Sequence, residues 1–490
     1  MAEAFDLIAI GGGTAGLVTA AGASYLGARV ALVERERLGG DCLWTGCVPS
    51  KALLASARAA QVRRDAGALG LLGKARPVDL PTVMDSLRAA RRAVSHHDDP
   101  ARFRALGVEV VFGPATLTDP RTVRVGDRLL TARRIVLATG SRPVLPPIPG
   151  LAGAGAHTHH TIFELTDTPA SLAVIGGGPI GVELAQAFQR LGVPVVLLEA
   201  APRLLGKEEA GAAAVVQAAL ARDGVTIHTG VTLGQVAREA GGHTLAWTAA
   251  DGTPGRVTVG AILVAAGRRP AVEGLGLEAL GVAVTAAGVT VDARLRTTVP
   301  GIWAAGDVTG GPQFTHVADY QAKLVVRNAL TPFKARADYG AVPRVTYTDP
   351  ELAQVGLSAA EAEGQGIPHR VWQYPLADLD RALADRRTEG FVQLVASPRG
   401  SAARRHHRRR RGGGAHHHRH PGPDPPPAAG RPRGDHLPIP HHERGSPPGG
   451  QPLPARGPPW SGRAPPQAHR AVGALTPRGR SAPEIPPGPP

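Results

Sequence analysis

Cysteine is scarce in this chain, with only Cys42 and Cys47 among 490 residues. Two cysteines exclude a disulfide-stabilised scaffold. Long apolar runs are also lacking, since no uninterrupted stretch reaches the roughly 18 residues of a membrane span. The acidic N-terminus, residues 1–6, lacks the basic region of a signal peptide. We therefore expect a soluble cytoplasmic protein with no membrane partner.

Charge is unevenly distributed along the chain, whose formal net charge is +15. Residues 401–490 contain 15 basic and 4 acidic residues, whereas residues 1–400 contain 40 and 36. The last ninety residues also hold 22 of the 46 prolines and 10 of the 19 histidines, but only seven large apolar or aromatic residues. That composition cannot supply a hydrophobic core. Two regions of different character therefore meet near Gly400.

A nucleic-acid-binding tail is one explanation for the basic charge, acting through Arg404 to Arg411 and the histidines. Stacking on bases requires aromatic side chains, and Trp460 is the only aromatic residue after position 400. No nucleic-acid partner is therefore expected.

Two segments share one glycine pattern. An apolar run that predicts one buried strand precedes each pattern, Phe5–Ile10 and Ser171–Ile175, and an acidic residue follows 23 positions after the first glycine. Glycines in G-x-G-x-x-G permit a tight turn and close approach to a diphosphate, and the acidic residue accepts from a ribose hydroxyl. The residues are Gly11, Gly13, Gly16 and Glu34, then Gly176, Gly178, Gly181 and Glu199. The pattern predicts an α/β fold with two Rossmann-like dinucleotide-binding domains; the alternative is two turns that bind no phosphate.

The two cysteines lie in one short segment, Gly39 to Lys51, five positions apart. A bridge closing so short a loop adds little stability, so a pair in a reducing cytosol is better explained by redox activity. A zinc site needs three or four ligands, and no histidine or third cysteine lies nearby in sequence. No metal site is predicted. Two unrelated buried thiols remain an alternative.

Three further strands end in glycine turns, at residues 135–143, 262–270 and 302–307. The last turn contains Asp307. A carboxylate at the carboxyl end of a parallel strand lies where α/β proteins bind ligands. A helix cap is the alternative role for this aspartate.

Together these motifs resemble the class I pyridine nucleotide-disulfide oxidoreductases, which include mercuric reductase, dihydrolipoyl dehydrogenase and glutathione reductase. The resemblance extends from about residue 5 to residue 400 and includes the later segment P-R-V-T-Y-T-D-P-E-L-A-Q-V-G at 343–356. It implies a flavin-dependent, NAD(P)H-linked enzyme that passes electrons to a redox-active Cys42–Cys47 disulfide. The electron acceptor would be a disulfide or a metal ion, as in mercuric reductase. The alternative is that the enzyme is a dihydrolipoyl dehydrogenase.

The resemblance also assigns cofactor residues. FAD would contact Gly11, Gly13, Thr14, Ala15, Gly16, Glu34, Gly40, Asp41, Lys51, Ala115, Thr139, Gly140, Ser141, Asp307 and Thr315. The nicotinamide nucleotide would contact Gly176, Gly178, Ile180, Gly181, Glu199 and Gly267. A carboxylate at Glu199 favours NAD(H) over NADP(H), although Arg203 lies four residues away and could offset it.

The catalytic residues implied by the resemblance are Cys42, Cys47, Lys51 and Glu183. Cys47 would be the thiolate against the flavin, and Cys42 would attack a small-molecule or protein disulfide. Lys51 and Glu183 match an ion pair beside the flavin, where an ammonium stabilises developing negative charge. A solvated helix lysine is the alternative, although the chain has only five lysines against fifty arginines.

Five regions are predicted along the chain. Residues 1–150 and 271–335 form the FAD domain, 151–270 the NAD(P) domain, and 336–400 the start of a dimerisation domain, so a homodimer is expected if that domain is intact. Residues 401–490 form an aberrant, frameshifted or disordered tail. With that domain incomplete, the chain would be an inactive FAD-binding protein, a further alternative.

A reading-frame shift would explain the tail. Codons that encode Asp435 to Gly445, read one nucleotide later, permit T-I-Y-P-Y-P-T-M-S-E. The family pattern is His or Tyr before Pro-Thr-x-Ser-Glu. The shifted codons allow Tyr, Ser or Phe there but not His, which favours the mercuric reductase-like branch.

Overall fold

The computed structural model describes residues 3–71 and 77–398. Its α-helices are α1 (Thr14–Tyr25), α2 (Gly40–Trp44), α3 (Cys47–Asp65), α4 (Leu80–Ser95), α5 (Pro100–Ala105), α6 (Pro179–Arg190), α7 (Ala210–Arg222), α8 (Thr315–Leu330), α9 (Ala359–Gly364) and α10 (Asp380–Ala384).

The strands are numbered in chain order. They are β1 (Glu3–Phe5), β2 (Leu7–Ile10), β3 (Val30–Glu34), β4 (Val108–Phe112), β5 (Ala115–Asp119), β6 (Thr122–Val125), β7 (Arg128–Ala132), β8 (Ile135–Leu137), β9 (Ser141–Pro143), β10 (Leu172–Ile175), β11 (Val195–Glu199), β12 (Thr226–Thr229), β13 (Thr232–Glu239), β14 (Gly242–Thr248), β15 (Pro254–Val259), β16 (Ala261–Val264), β17 (Arg268–Pro270), β18 (Val284–Thr285), β19 (Gly288–Val289), β20 (Ile302–Ala304), β21 (Pro343–Thr346), β22 (Leu352–Val355), β23 (Arg370–Pro375) and β24 (Phe391–Ala396).

A five-stranded parallel sheet, ordered β20-β8-β2-β3-β4, forms the first dinucleotide-binding unit. Every side chain of β2 is buried, as expected for a central parallel strand covered on both faces. Leu7 points toward α1 and α8, whereas Ile8 points toward the sheet β1-β7-β6-β5. We call residues 7–34, which span β2, α1 and β3, the first unit.

The apolar run Phe5–Ile10, predicted as one strand, is two strands in different sheets. Phe5 pairs with Ala132 in the covering sheet, while Ile8 pairs with Ile135 in the central sheet. Asp6 lies at the break, and its carboxylate accepts a hydrogen bond from the backbone N–H of Arg29 at 2.9 Å. The prediction was wrong here because an apolar run does not reveal where a chain changes sheets.

The second unit, residues 172–199, repeats this plan with β10, α6 and β11. Its parallel sheet is ordered β12-β11-β10-β16 and also carries a small antiparallel sheet, β13-β14-β15. On one face, β10 packs against that antiparallel sheet; on the other, it packs against α6. The predicted α/β class with two Rossmann-like units is confirmed.

The last described region contains two antiparallel strand pairs, β21-β22 and β23-β24; α9 lies between the two pairs, and α10 lies between β23 and β24. None of the helices in residues 3–71 and 77–398 combines the length and apolar character needed to cross a bilayer.

Candidate active site

The two glycine loops have the same backbone geometry. Gly11 has φ +113° and Gly176 has φ +111°. A side chain on Gly11 would collide with the carbonyl group of Ala138, directly after β8, and one on Gly176 with that of Ala265, directly after β16. Glycine is therefore required at the first position of both loops.

The strand-ending glutamates close the loops in the same way. Glu34 Oε2 accepts from the backbone N–H of Gly12 at 2.6 Å, and Glu199 accepts from the backbone N–H of Gly177. Glu199 Oε1 also accepts from the backbone N–H of Ala201 at 2.6 Å. Each carboxylate is thereby fixed at the carboxyl end of its strand, where a ribose would lie.

The helix after each loop begins without a side-chain cap. Gly13 and Gly178 precede the first turns of α1 and α6, and no side chain bonds the free backbone N–H groups there. A Cβ at Gly178 would meet no atom within 4 Å. Uncapped N–H groups beside open space are suited to a diphosphate. Both loops therefore fit a dinucleotide, with Thr14 and Ala15 in the first turn of α1 and Ile180 in that of α6.

The other predicted FAD contacts lie around the mouth of the first sheet. Asp307, which follows β20, accepts a hydrogen bond from Ser141 Oγ at 2.6 Å. The Thr139 hydroxyl instead donates to a backbone group, the carbonyl of Ala271, at 2.6 Å. Gly140 has open space beside it, as does Gly267 at the matching position of the second sheet.

Two predicted contacts reach this mouth from other elements. Ala115 begins β5 just after Gly113, whose N–H donates to the Glu34 carbonyl at 2.8 Å. Gly40 begins α2 and lies directly against Gly13, so a Cβ there would collide with the loop. These residues surround the first loop with small or polar groups that fit FAD.

The two cysteines are free thiols that lie side by side at a helix start. Cys42 lies in α2, and Cys47 is the first residue of α3. The Cys47 Sγ lies 3.1 Å from the Thr315 hydroxyl of α8. The tight turn at Gly46 places the helix start beside α2, which brings the two sulfurs together.

The two thiols ionise differently. The hydrogen bond with Cys47, together with burial, raises the pKa of Cys42 well above its usual range. The same hydrogen bond lowers the pKa of Cys47 to about 6, and the Thr315 hydroxyl and the Lys51 ammonium add to that effect against burial. In the reduced pair, the thiolate therefore resides on Cys47 and the proton on Cys42.

Lys51 and Glu183 connect α3 to α6 beside the Cys47 thiolate. Lys51 Nζ, from α3, lies 3.3 Å from Glu183 Oε2, from α6. The other carboxylate oxygen accepts from the backbone N–H of Tyr347 at 2.9 Å, and the Lys51 ammonium lies 3.9 Å from the centre of the Tyr347 ring. Lys51 is therefore held in place rather than freely solvated.

Sequence reasoning missed the contacts around Asp41. Although burial would raise the pKa of Asp41, contacts with His159, His160 and Arg268 outweigh it and hold that pKa far below its usual range. Arg268 also donates to Ser141 Oγ at 2.8 Å and lies 3.6 Å from Asp307. Asp41 and His159 are 118 positions apart, so no local sequence pattern predicts this cluster.

Comparison with known proteins decides the family. Residues 5–322 match the pyridine nucleotide-disulphide oxidoreductase family, and residues 342–401 match its dimerisation domain. The chain belongs to this family.

Individual relatives agree with the family match. A mercuric reductase of Streptomyces lividans is 38% identical over 402 residues, covering 80% of this chain and 84% of the relative. A dihydrolipoyl dehydrogenase of Geobacillus stearothermophilus is 34% identical over 396 residues, covering 80% and 83%. Among solved structures, the Cu(II) complex of the HOCl-induced flavoprotein disulfide reductase RclA from Escherichia coli has a TM-score of 0.72 at 28% identity, covering 81% of this chain and 87% of that one.

The predicted enzyme class is therefore confirmed. The chain is a flavin-dependent, NAD(P)H-dependent disulfide oxidoreductase, and FAD is its cofactor. The family points to thiol or metal substrates and, through the domain at 342–401, to a homodimer.

Proposed function

We propose that this enzyme oxidises NADH and reduces a metal ion or disulfide in the manner of a mercuric reductase. The observation that carries the proposal is the placement of the Cys42–Cys47 pair at the start of α3, where Cys47 Sγ lies 3.1 Å from the Thr315 hydroxyl and Lys51 of the same helix pairs with Glu183. FAD, when bound, relays an electron pair from the nicotinamide to the Cys42–Cys47 disulfide.

The protein residues manage the charge and the proton in that chemistry. Two electrons and one proton convert the disulfide into the Cys47 thiolate and the Cys42 thiol. The Lys51 ammonium stabilises negative charge on the Cys47 side, and Glu183 holds the ammonium there. Cys42 then attacks a disulfide substrate, and its proton goes to the first sulfur released, which leaves as a thiol. Attack by the Cys47 thiolate on Cys42 releases the second sulfur as a thiolate and restores the disulfide.

Metal reduction is favoured over lipoamide chemistry by the similarity to mercuric reductases at 34–38% identity. Cys42 and Cys47 are the only thiols in the sequence, so a soft metal ion would have to be bound by this pair alone. Dihydrolipoyl dehydrogenase activity is the alternative, supported by relatives of 34% identity.

We propose NADH as the electron donor, because the site around Glu199 suits a ribose diol. Its carboxylate is fixed by two backbone N–H groups and would repel a 2′-phosphate. Arg203 does not offset this charge for a ligand, since its guanidinium donates to the carbonyls of Leu205, Gly206 and Glu208 at 2.8–2.9 Å.

We also propose the domain division into FAD (1–150 and 271–335), NAD(P) (151–270) and partial dimerisation (336–400) regions. The tail prediction for 401–490 lies outside the described residues. A frameshift there is supported by an apolar face of β23-β24 that is about half exposed, formed by Trp372, Tyr374, Val392 and Leu394. In the correct frame, the remainder of the dimerisation domain would cover this face. Resequencing the gene tests the idea, and an unaltered frame would contradict it.

The activity test uses purified, flavin-loaded protein with NADH or NADPH and three acceptors, mercuric ion, lipoamide and glutathione disulfide. We expect NADH oxidation to be fastest with mercuric ion, and at least about tenfold more efficient than NADPH oxidation. Glu199→Ala should narrow the NADH preference, while Arg203→Ala should leave it unchanged. Fastest turnover with lipoamide would support the alternative, and equal use of both nucleotides would contradict the role given to Glu199.

A further inference from the structure

One cluster of potential metal ligands lies next to the redox pair without being part of it. Asp41 immediately precedes Cys42 in α2, and His159 and His160 lie in the segment that leads into the second unit. His160 Nε2 lies 3.2 Å from Asp41 Oδ1, and His159 Nε2 lies 3.7 Å from Asp41 Oδ2. Each imidazole therefore faces a different oxygen of one carboxylate.

One histidine of the cluster is buried, whereas the side chains of Asp41 and His160 are each about one third exposed. His159 is 5% exposed, and the Nε2 atom of His160 is buried without the geometry of a hydrogen bond to any partner. Because Nε2 of His160 lies 3.2 Å from Asp41 Oδ1 without the geometry of a hydrogen bond, both atoms are suited to a shared metal ion.

The geometry is close to that of a transition-metal site. The three ligand atoms lie within 4.8 Å of one another. Metal bonds of about 2.0–2.2 Å place neighbouring ligands about 3 Å apart, so small side-chain rotations would bring these atoms onto one ion. Two imidazoles and one carboxylate suit Zn²⁺, Cu²⁺ or Fe²⁺.

Arg268 now occupies the position of such an ion. Its guanidinium contacts both Asp41 and His159 Nε2, which neutralises the carboxylate. The same side chain has other partners in Ser141, at 2.8 Å, and Asp307, at 3.6 Å. A guanidinium that turned toward those residues would leave Asp41 and both histidines free.

We propose that Asp41, His159 and His160 form a binding site for a divalent transition metal, in competition with Arg268. The site is separate from the Cys42–Cys47 pair and does not depend on the identity of the substrate. Metal binding and the Arg268–Asp41 ion pair are mutually exclusive in this arrangement.

The test must resolve the site, because residues 401–490 contain 10 histidines and imidazole is a common copper ligand. The flavin-loaded full-length protein, with Cys42 and Cys47 oxidised, is treated with Cu²⁺ and ascorbate, and histidine oxidation is mapped by peptide mass spectrometry. We expect oxidation of His159 and His160 to saturate with copper and to be suppressed by Zn²⁺. His157, which is partly exposed like His160 and lies outside the cluster, is the internal control and should stay at background.

Variants separate the parts of the proposal. Asp41→Asn and His160→Asn should each raise the half-saturating copper concentration at least about tenfold. Arg268→Leu should lower it, since the competing cation is gone. Circular dichroism establishes that each variant is folded, and flavin absorbance is compared only for the His160 and Arg268 variants because Asp41 is a predicted FAD contact. Oxidation of His159 and His160 no greater than that of His157, or no response to His160→Asn, would overturn the site; no response to Arg268→Leu would overturn the competition.

Discussion

The first and second units share a glycine loop and a strand-ending glutamate, but differ in the segment that comes after that glutamate. After Glu34, the chain places Leu38 over Gly12 and continues into α2 and α3, which carry the cysteines. After Glu199, it places Leu204 over Gly177 and forms a loop held by Arg203. The same Rossmann-like fold thus occurs twice, and the cysteine pair follows the first copy only.

The helices of the two units also differ. α1 has no charged residue and packs its small side chains against α8. α6 carries Glu183, which meets Lys51, and Arg190, which lies 2.7 Å from both Asp223 and Asp349. The second unit therefore connects the cysteine helix α3 to the β21-β22 hairpin.

The largest expected effect comes from the cysteines added to the first unit. Cys42→Ser and Cys47→Ser should each lower turnover by at least about 10³-fold, as for other residues that form covalent intermediates. They should differ in the visible spectrum. Cys42→Ser leaves the Cys47 thiolate and should keep a long-wavelength absorbance band with the flavin, whereas Cys47→Ser should lose it.

Equal spectra of the two variants would contradict the separate roles of the thiols. The flavin content of both variants serves as the control, because neither sulfur is needed to hold the glycine loop in place.

Breaking the connection made by α6 should lower stability. Arg190→Leu leaves the buried carboxylate of Asp223 without its partner, and losing one member of a buried ion pair costs about 3–5 kcal/mol. The free energy of unfolding in urea measures the loss. Arg222→Leu removes a half-exposed pair with Glu389 and should cost under about 1 kcal/mol. Similar losses for the two variants would show that the Arg190 network adds no more stability than a surface pair.

A matched pair of glycine substitutions separates the two cofactor sites. Gly13 and Gly178 have φ values of −83° and −75°, which alanine adopts without strain. A new Cβ would have its nearest neighbour at 3.7 Å at Gly13 and none within 4 Å at Gly178. Gly13→Ala should weaken FAD binding about 10- to 100-fold, and Gly178→Ala should raise the NADH KM by a similar factor with normal flavin content. Flavin content and steady-state kinetics measure these effects. Loss of FAD in Gly178→Ala would reverse the assignment of the two sites.

The smallest expected effect is a shift in pH dependence. Because the pKa of Cys47 is lowered to about 6, the long-wavelength band of NADH-reduced protein should be present above that pH and fade below it. The Lys51 ammonium contributes to the lowering, so Lys51→Met should move the midpoint to higher pH. Spectra recorded between pH 5 and pH 9 test this, with Lys323→Met as a distant surface control. An unchanged midpoint in Lys51→Met would show that Lys51 does not lower the pKa of Cys47.

The sequence was sufficient for features with a local pattern. Glycine spacing and the position of Glu34 and Glu199 predicted the two units, because the turn and the ribose contact depend on residues close together in the chain. The class of enzyme followed from several motifs in one order. The contacts expected around Cys47 and Lys51 stay predictions until a cofactor-bound structure or variant data test them.

Other features depend on residues that are far apart. The sequence does not place Tyr347 over Lys51, or His159 beside Asp41, because each contact joins segments that are more than one hundred residues apart in the chain. The break at Asp6 was missed for a related reason, since sheet membership depends on strands more than one hundred residues later.

Thiol titration tests the central claim most directly, because Cys42 and Cys47 are the only sulfhydryls in the chain. The protein is denatured and its thiols counted, first as isolated in air and then after anaerobic reduction with one equivalent of NADH. A disulfide reductase with this pair should give no thiols before reduction and two afterwards. Two thiols before reduction, or none after the flavin has accepted electrons, would contradict the account.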